Sequence, residues 1–399
     1  MKFHHPLHLH MASLVTTSND NSVKPSTHRS FQFVEYGTTI PPHDSVIISC
    51  DGRIDGVTME LTHWNGNETP EQFYADTSTE MALNFCHDNL LNEDFSKDLI
   101  VANNHFDTDG VLSVFACLQP EWIQSNEDYH QLLMDGAAAG DFGEWSSDSG
   151  VKLDAILEGI CQEQNSDEAR AYDVCLKELP NILHNILHEG GAMYENYWKT
   201  TLDHARASYD AIQSGQSTFE TTKSSFGQAS DSVIVSVEPF ALSPFALHRG
   251  LVEQNLWPKA QRILRVIENK SDNGNAPVLL YFWYEKPGHG WVQKLRDRPV
   301  IRPSPKAVGP LLESLNQVTR DVYQNAETAR AVEWTNQGGR SLVSICQTTR
   351  PLVLDESDHA RKRDEITREF VDVLAKMDAP PAQYCNHKTP DSTSEHFPL

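Results

Sequence analysis

The chain is poor in basic residues, with Lys and Arg totalling 32 against 56 Asp and Glu, a formal charge of −24. A protein that clamps long nucleic acid needs a basic groove to displace counterions, and the bulk field here repels a polyanion. Long nucleic acid is therefore not an expected partner. A phosphate-bearing substrate is expected to be small or held through metal ions. The seven cysteines, at 50, 86, 117, 161, 175, 346 and 385, contain no CxxC pair, which argues against a zinc ribbon. Their odd, scattered set fits reduced thiols in a cytoplasm, most of them small buried apolar residues. Long apolar runs are missing too. The strongest, Val278–Tyr284 and Ser232–Val237, are strand-sized, so no membrane span is expected. The first residues, with His4, His5, Pro6 and His8, lack the apolar core of a signal peptide. No Walker loop, no Gly-x-Gly-x-x-Gly and no Gly-x-Ser-x-Gly elbow occurs, which removes the commonest nucleotide-binding and serine-hydrolase readings.

What is present reads as an α/β protein with a parallel sheet, crossover helices and a second, smaller α/β domain. Ser45–Ser49 and Leu99–Ala102 are apolar runs of strand length. Pro70–Phe85 between them has helical spacing, and so does Val111–Leu118 after them. The order strand, helix, strand, helix is that of a parallel sheet. Further helices are expected at Asn126–Ala139, Val151–Gln162, Glu168–His188 and Ala192–Ile212. Beyond a Ser-, Thr-, Gln- and Gly-rich stretch the pattern restarts, with strands at Ser232–Val237 and Val278–Tyr284. Helices are expected there at Ala246–Glu253, Lys259–Ile267, Ala307–Leu315 and Asp364–Ala375. The expected division is a disordered leader over 1–30, a metal-binding domain over 31–212 and a linker over 213–230. A smaller substrate-binding domain over 231–380 and a disordered tail over 381–399 follow.

The most informative segment is Asn104-His105-Phe106-Asp107-Thr108-Asp109-Gly110, which follows the apolar run Leu99–Ala102. Ligands of open α/β sheets bind just beyond the carboxyl ends of strands. Alternation in extended chain would turn His105, Asp107 and Asp109 to one side. An imidazole and two carboxylates suit Mn²⁺, with Zn²⁺, Fe²⁺ or Mg²⁺ as alternatives. The competing reading is that Asp107 or Asp109 caps the next helix.

The pattern His-x-Asp-x-Asp-Gly-x-x-Ser, from His105 to Ser113, resembles the first motif of the DHH phosphoesterase superfamily. The resemblance implies a parallel-sheet domain carrying two metal ions, then a smaller substrate-binding domain. It also implies further ligands: an Asp on a second strand, a His from an Asp-His-His motif and another Asp. Asp141, flanked by Gly140 and Gly143 in a small-residue run, is the candidate for the second-strand Asp. No Asp-His-His occurs; Asp203-His204 and Asp358-His359 come nearest.

Other residues fill out the expected site. His184 and His188 are four apart on a helix and share a face. His188 is a candidate ligand and His184 the candidate proton donor. His63, in Thr62-His63-Trp64, lies in a loop that would cover the cleft. Asp76 or Ser78 is expected to cap a helix. His289, between Gly288 and Gly290, and the cluster Arg296, Arg298 and Arg302 are candidate substrate-binding residues; Gly338-Gly339-Arg340 is a second such loop. The expected activity is metal-dependent hydrolysis of a phosphodiester or phosphoanhydride bond in a small substrate. The alternatives are a catalytically degenerate relative that only binds, and a co-catalytic zinc aminopeptidase. The last usually needs adjacent glutamates, and no Glu-Glu dipeptide exists in this chain.

Overall fold

The computed structural model describes residues 29–41, 44–64, 67–89, 98–223 and 232–256, the strands at 262–269, 278–285, 334–336, 345–348 and 352–353, and helical residues at 313, 316–317, 364–365 and 367–368. Four short strands form the first sheet: β1 (Arg29–Phe33), β2 (Val46–Cys50), β3 (Met59–Leu61) and β4 (Leu99–Asn103). They lie in the order β1-β4-β2-β3, and every pairing is parallel. The two runs read as strands are thus β2 and β4, side by side at the centre. One helix, α1 (Ser78–Asn89), makes the crossover from β3 to β4. It starts later than the periodicity of Pro70–Phe85 predicts.

Strand alternation sorts the side chains between two cores. Ile48, Cys50 and Val101 face the main core, while Ile47 and Ala102 face a small cluster with Val34, Ile40 and Ile54. Helix α2 (Thr108–Leu118) runs from the end of β4 through the main core, and every residue from Thr108 to Cys117 is buried. Beyond its polar first turn its sequence is apolar but for Ser113, as a central helix requires. Around it stand α1, α4 (His130–Phe142), α5 (Asp148–Glu163) and α6 (Glu168–Glu189), with the short α3 (Pro120–Ser125) leading in.

Close packing of α4 on α2 and α5 depends on glycine. A Cβ on Gly136 would stand 2.6 Å from the Leu153 side chain, and one on Gly140 would stand 2.7 Å from Thr108 Cβ. The small-residue run Gly136–Gly140 therefore lets α4 approach the start of α2, and that approach carries Asp141 to the sheet's edge.

Helix α7 (Glu195–Gln213) packs on α8 (Pro244–Glu253) through Leu202, Ala205, Ile212, Phe245 and Ala246. A second, mixed sheet follows: β5 (Thr218–Lys223), β6 (Ser232–Glu238), β7 (Arg262–Asn269), β8 (Val278–Glu285), β9 (Trp334–Asn336), β10 (Ile345–Thr348) and β11 (Leu352–Val353). The β6–β7 pair is parallel and its other pairs are antiparallel. Glu238 is fully buried in this sheet, and Arg265 donates to both of its oxygens at 2.7 Å.

Two expectations change here. The stretch read as a linker contains β5, whose Thr-rich sequence pairs along β6; residues 224–231 lie outside the described residues. The helix expected at Lys259–Ile267 is instead the strand β7. Ile263, Leu264, Val266 and Ile267 are all buried, and a strand covered on both faces gives an apolar run that periodicity cannot tell from a buried helix. Among the described residues no helix is long and apolar enough to cross a membrane.

Candidate metal centre

The site forms where the carboxyl ends of β2 and β4 meet the starts of α1 and α2. Immediately after β2, Asp51 takes a left-handed backbone, φ +59°. Such a conformation is uncommon in residues other than glycine, and strain of this kind concentrates at functional sites. Gly52 follows because a side chain would not fit: its Cβ would stand 2.8 Å from Asn103 Oδ1. Ser78 donates its hydroxyl to Asp51 Oδ1 at 2.9 Å.

After β4 the chain presents His105 and then Asp107, the N-cap of α2, whose Oδ1 accepts the Gly110 N–H at 2.8 Å. The capping reading is therefore correct for Asp107, and it does not remove the residue from the site. Asp107 Oδ2 stands 3.1 Å from His105 Nε2. The alternation argument stops at Asp107, because the helix begins at Thr108. Asp109 lies in the first turn of α2 and turns toward α1, accepting the N–H groups of Ser78 and Thr79 at 2.7 Å each. The expected caps of α1, Asp76 and Ser78, give way to Thr77, whose hydroxyl oxygen accepts the Glu80 N–H at 3.1 Å.

The two histidines have their tautomers set from behind. His63 Nδ1 lies 2.7 Å from the Asp76 carbonyl, which can only accept, so Nδ1 carries the proton. His105 Nδ1 lies 3.0 Å from Asn104 Oδ1, while the Asn104 amide nitrogen donates to the Arg53 carbonyl at 3.0 Å. Each neutral imidazole thus keeps a lone pair on Nε2, the arrangement seen in metal-ligating histidines. Those nitrogens face carboxylates. His63 Nε2 is 3.2 Å from Asp141 Oδ2 and 3.8 Å from Asp51 Oδ1, and His105 Nε2 is 3.1 Å from Asp51 Oδ2. Asp51 Oδ2 and Asp141 Oδ2 are buried and accept no hydrogen bond. Lone pairs aimed at lone pairs in a buried space repel unless a cation or a proton sits between them.

The donor atoms fall into two groups, each within 4.8 Å: Asp51, His63, Asp109 and Asp141, and Asp51, His105 and Asp107. Asp51 belongs to both, one oxygen toward each histidine. Four aspartates and two imidazoles form a hard, oxygen-rich donor set of the kind that suits Mn²⁺ or Mg²⁺, while the imidazoles also admit Zn²⁺ or Fe²⁺.

The electrostatics agree. Burial, then Asp107 and Asp109, pushes the Asp51 carboxyl well above the usual carboxylate range. Burial, then Asp109 and Asp107, does the same to Asp141. Burial also raises Asp109, against the lowering by His63 and Thr79. For Asp107 burial is outweighed by His105 and the Gly110 N–H, so its carboxyl falls to about 2. Burial opposes a charged His105, but Asp107 and Asp51 prevail and raise it well above the ordinary imidazole value. Two raised carboxyls and a raised imidazole mean that, without a cation, this pocket favours protons more than water does.

The chain belongs to the DUF6687 family, a family of unknown function. The family model matches residues 29–368, which spans both sheets. No curated protein matches the chain.

Within this DUF6687 chain the expected site residues separate. His105, Asp107, Asp109 and Asp141 are brought together. Asp141 does not follow a second strand, as expected; it lies in the last turn of α4, and the second-strand acid is Asp51. His63, expected to touch substrate, stands in the first group, with Asp51, Asp109 and Asp141. His184 and His188 join neither group. The buried stripe of α6 runs through Leu179, Ile182, Leu183 and Ile186, so the two imidazoles point outward, with ring centroids 4.5 Å apart beside the Tyr129 hydroxyl. His204, of Asp203-His204, lies 2.9 Å from the Ala241 carbonyl through Nε2. His289, Arg296, Arg298, Arg302, Gly338–Arg340 and Asp358-His359 lie outside the described residues. Sequence reasoning does not single out Asp51, although a signal exists: the buried strand β2 runs directly into Asp51-Gly52, at the same end of the sheet as the polar segment after β4.

Proposed function

We propose that the protein is a metal-dependent hydrolase of phosphodiester or phosphoanhydride bonds in a small substrate, with a pair of divalent ions, Mn²⁺ being the expected one. The observation that carries this reading is the sharing of Asp51 between two ligand groups. A carboxylate with one oxygen in each group is suited to bridging two ions a short distance apart. Held by these residues, divalent ions would supply a water of lowered pKa and neutralise phosphoryl charge. The residues' part is to fix the geometry. Asn104 and the Asp76 carbonyl hold the imidazoles, Ser78 orients Asp51, and the N–H groups of Ser78 and Thr79 hold Asp109.

The likeness of His105–Ser113 to the DHH phosphoesterase motif supports the same reading. Asp51 would serve as the second-strand Asp, and His63 would fill the place left by the missing Asp-His-His. The aminopeptidase alternative gains no support, since neither ligand group contains a glutamate. His184, exposed on α6, belongs to neither group and has no part in this reading.

The test is metal content followed by turnover. Purified protein is loaded with Mn²⁺ and assayed on pyrophosphate, a phosphodiester and a phosphomonoester, beside Asp51→Asn. Hydrolysis of at least one of these substrates, lost in the variant while its circular dichroism is kept, is the expected result. Failure to take up any divalent ion overturns the reading.

A further inference from the structure

The two ligand groups are not equivalent. In the first, the side chains of Asp51, His63 and Asp141 are 1 %, 2 % and 4 % exposed, and Asp109 is fully buried. In the second, His105 and Asp107 are 23 % and 22 % exposed. The inner group also ties more of the fold together. It draws Asp51 from the end of β2, His63 from the loop after β3, Asp109 from α2 and Asp141 from α4. The outer group adds to Asp51 only the neighbouring residues His105 and Asp107. Two buried oxygens, Asp51 Oδ2 and Asp141 Oδ2, accept no hydrogen bond. Phe142 lies beside His63 on the inner side, with ring centroids 6.0 Å apart, and Trp64 lies beside His105 on the outer side at 5.0 Å.

Resting on the metal-centre reading above, we propose that the two ions have different roles. The inner group holds a resident ion, and the outer group holds an exchangeable ion at the solvent-facing mouth, where the substrate's phosphate is bound. Release of the inner ion requires its ligands to separate, and these sit on α2, α4 and two strand ends. Each is packed into the main core, so the opening is a sub-global one and slow. Release of the outer ion requires only solvent and a competing ligand at His105 and Asp107. Loading is therefore ordered, inner ion first. The free divalent-ion concentration then controls activity through the outer position alone, while the inner ion acts as a staple across four elements.

The experiment needs no substrate. Full-length protein is loaded with Mn²⁺, desalted, and challenged with a chelator at neutral pH. Bound metal is counted by elemental analysis, and the thermal midpoint is recorded before and after. The expected result is loss of one of two equivalents with little change in midpoint, the second equivalent leaving only on unfolding. His105→Ala keeps the chelator-resistant equivalent and loses the removable one. Asp141→Asn, which conserves volume, loses the resistant one. Both equivalents leaving together, or both resisting, overturns the inference. No uptake of metal overturns the proposed function with it. Retention of one resistant equivalent without hydrolysis of any phosphoester would leave this inference standing and remove only the hydrolase reading.

Discussion

Replacing Asp51 with Asn should stabilise the metal-free protein, a sign opposite to that of most buried-site substitutions. The donor atoms of the inner group lie within 4.8 Å of one another. At that separation two carboxylates repel by about 3–4 kcal/mol with an effective dielectric near 20. Asp51 faces Asp107 and Asp109, and in turn Asp141, and His105 offsets part of that repulsion. Asn removes the charge at constant shape. It can still accept the Ser78 hydroxyl, and it tolerates the left-handed backbone at this position better than most residues. A net gain of roughly 2–4 kcal/mol follows for the metal-free form, on the order of 5–10 °C in midpoint for a domain of this size. Wild-type protein at Mn²⁺ about a thousand times the Kd gains about 4 kcal/mol by mass action. The variant should gain little, because both ion positions lose a shared ligand. Differential scanning fluorimetry of the two proteins, each with and without Mn²⁺, decides the matter. A variant less stable than wild type without metal, or one with an undiminished response to Mn²⁺, would refute the reasoning.

The other predictions follow from the same geometry. Asp51 and Asp141 have raised carboxyl groups in the folded protein, so their favourable contribution is complete below the unfolded value near 3.9 and is lost as pH rises through the folded values. His105 is raised too, so its contribution is complete below about 6.5 and lost above its folded value, the same direction. The metal-free midpoint should therefore fall between pH 5 and 8 while the Mn²⁺-induced shift grows; a flat or rising metal-free profile would contradict this. Gly140→Val forces a side chain against Thr108 and pushes α4 away. It should cost about 1–3 kcal/mol in denaturant titration and lower the retained metal, and unchanged stability would show that α4 has room to give. Asn104→Ala removes the acceptor behind His105 and should weaken the outer ion roughly 10- to 100-fold by calorimetric titration, with the inner ion untouched. Arg265→Met strands the fully buried Glu238 and should cost about 3–5 kcal/mol, and a double variant with Glu238→Gln should recover much of that loss.

Much of the fold was readable because α2 and its neighbours announce themselves locally. A buried strand, a polar turn and an apolar helix appear in order from Leu99 to Leu118, and the structure places them so. What periodicity could not supply was the register between distant elements. Asp51 and Asp109 are brought together only by the pairing of β2 beside β4 and by α1 turning its first N–H groups onto Asp109. The glycines that draw attention to Asp141 in the sequence do matter, but as a packing surface for α4 and not as a strand-end turn. The pair His184 and His188 misled because shared helical face says nothing about whether that face looks in or out. The strand β7 is hard to tell from a helix for a related reason: a run buried on both sides carries no amphipathic signal.

The double duty of Asp107 and Asp109 bears on how other members of the family should be compared. Asp107 caps α2 and Asp109 accepts the first two N–H groups of α1, so selection for folding alone would keep both acids in a relative without any metal chemistry. Their presence in a relative would therefore be weak testimony to activity. His63, His105 and Asp141 hold no helix start, and Asp141 Oδ2 accepts no hydrogen bond at all. A descendant that no longer needed ions would be free to trade these three for apolar residues and would gain stability by doing so. On the proposed reading, which of the three survive across the family separates members that hold ions from members that have lost the site.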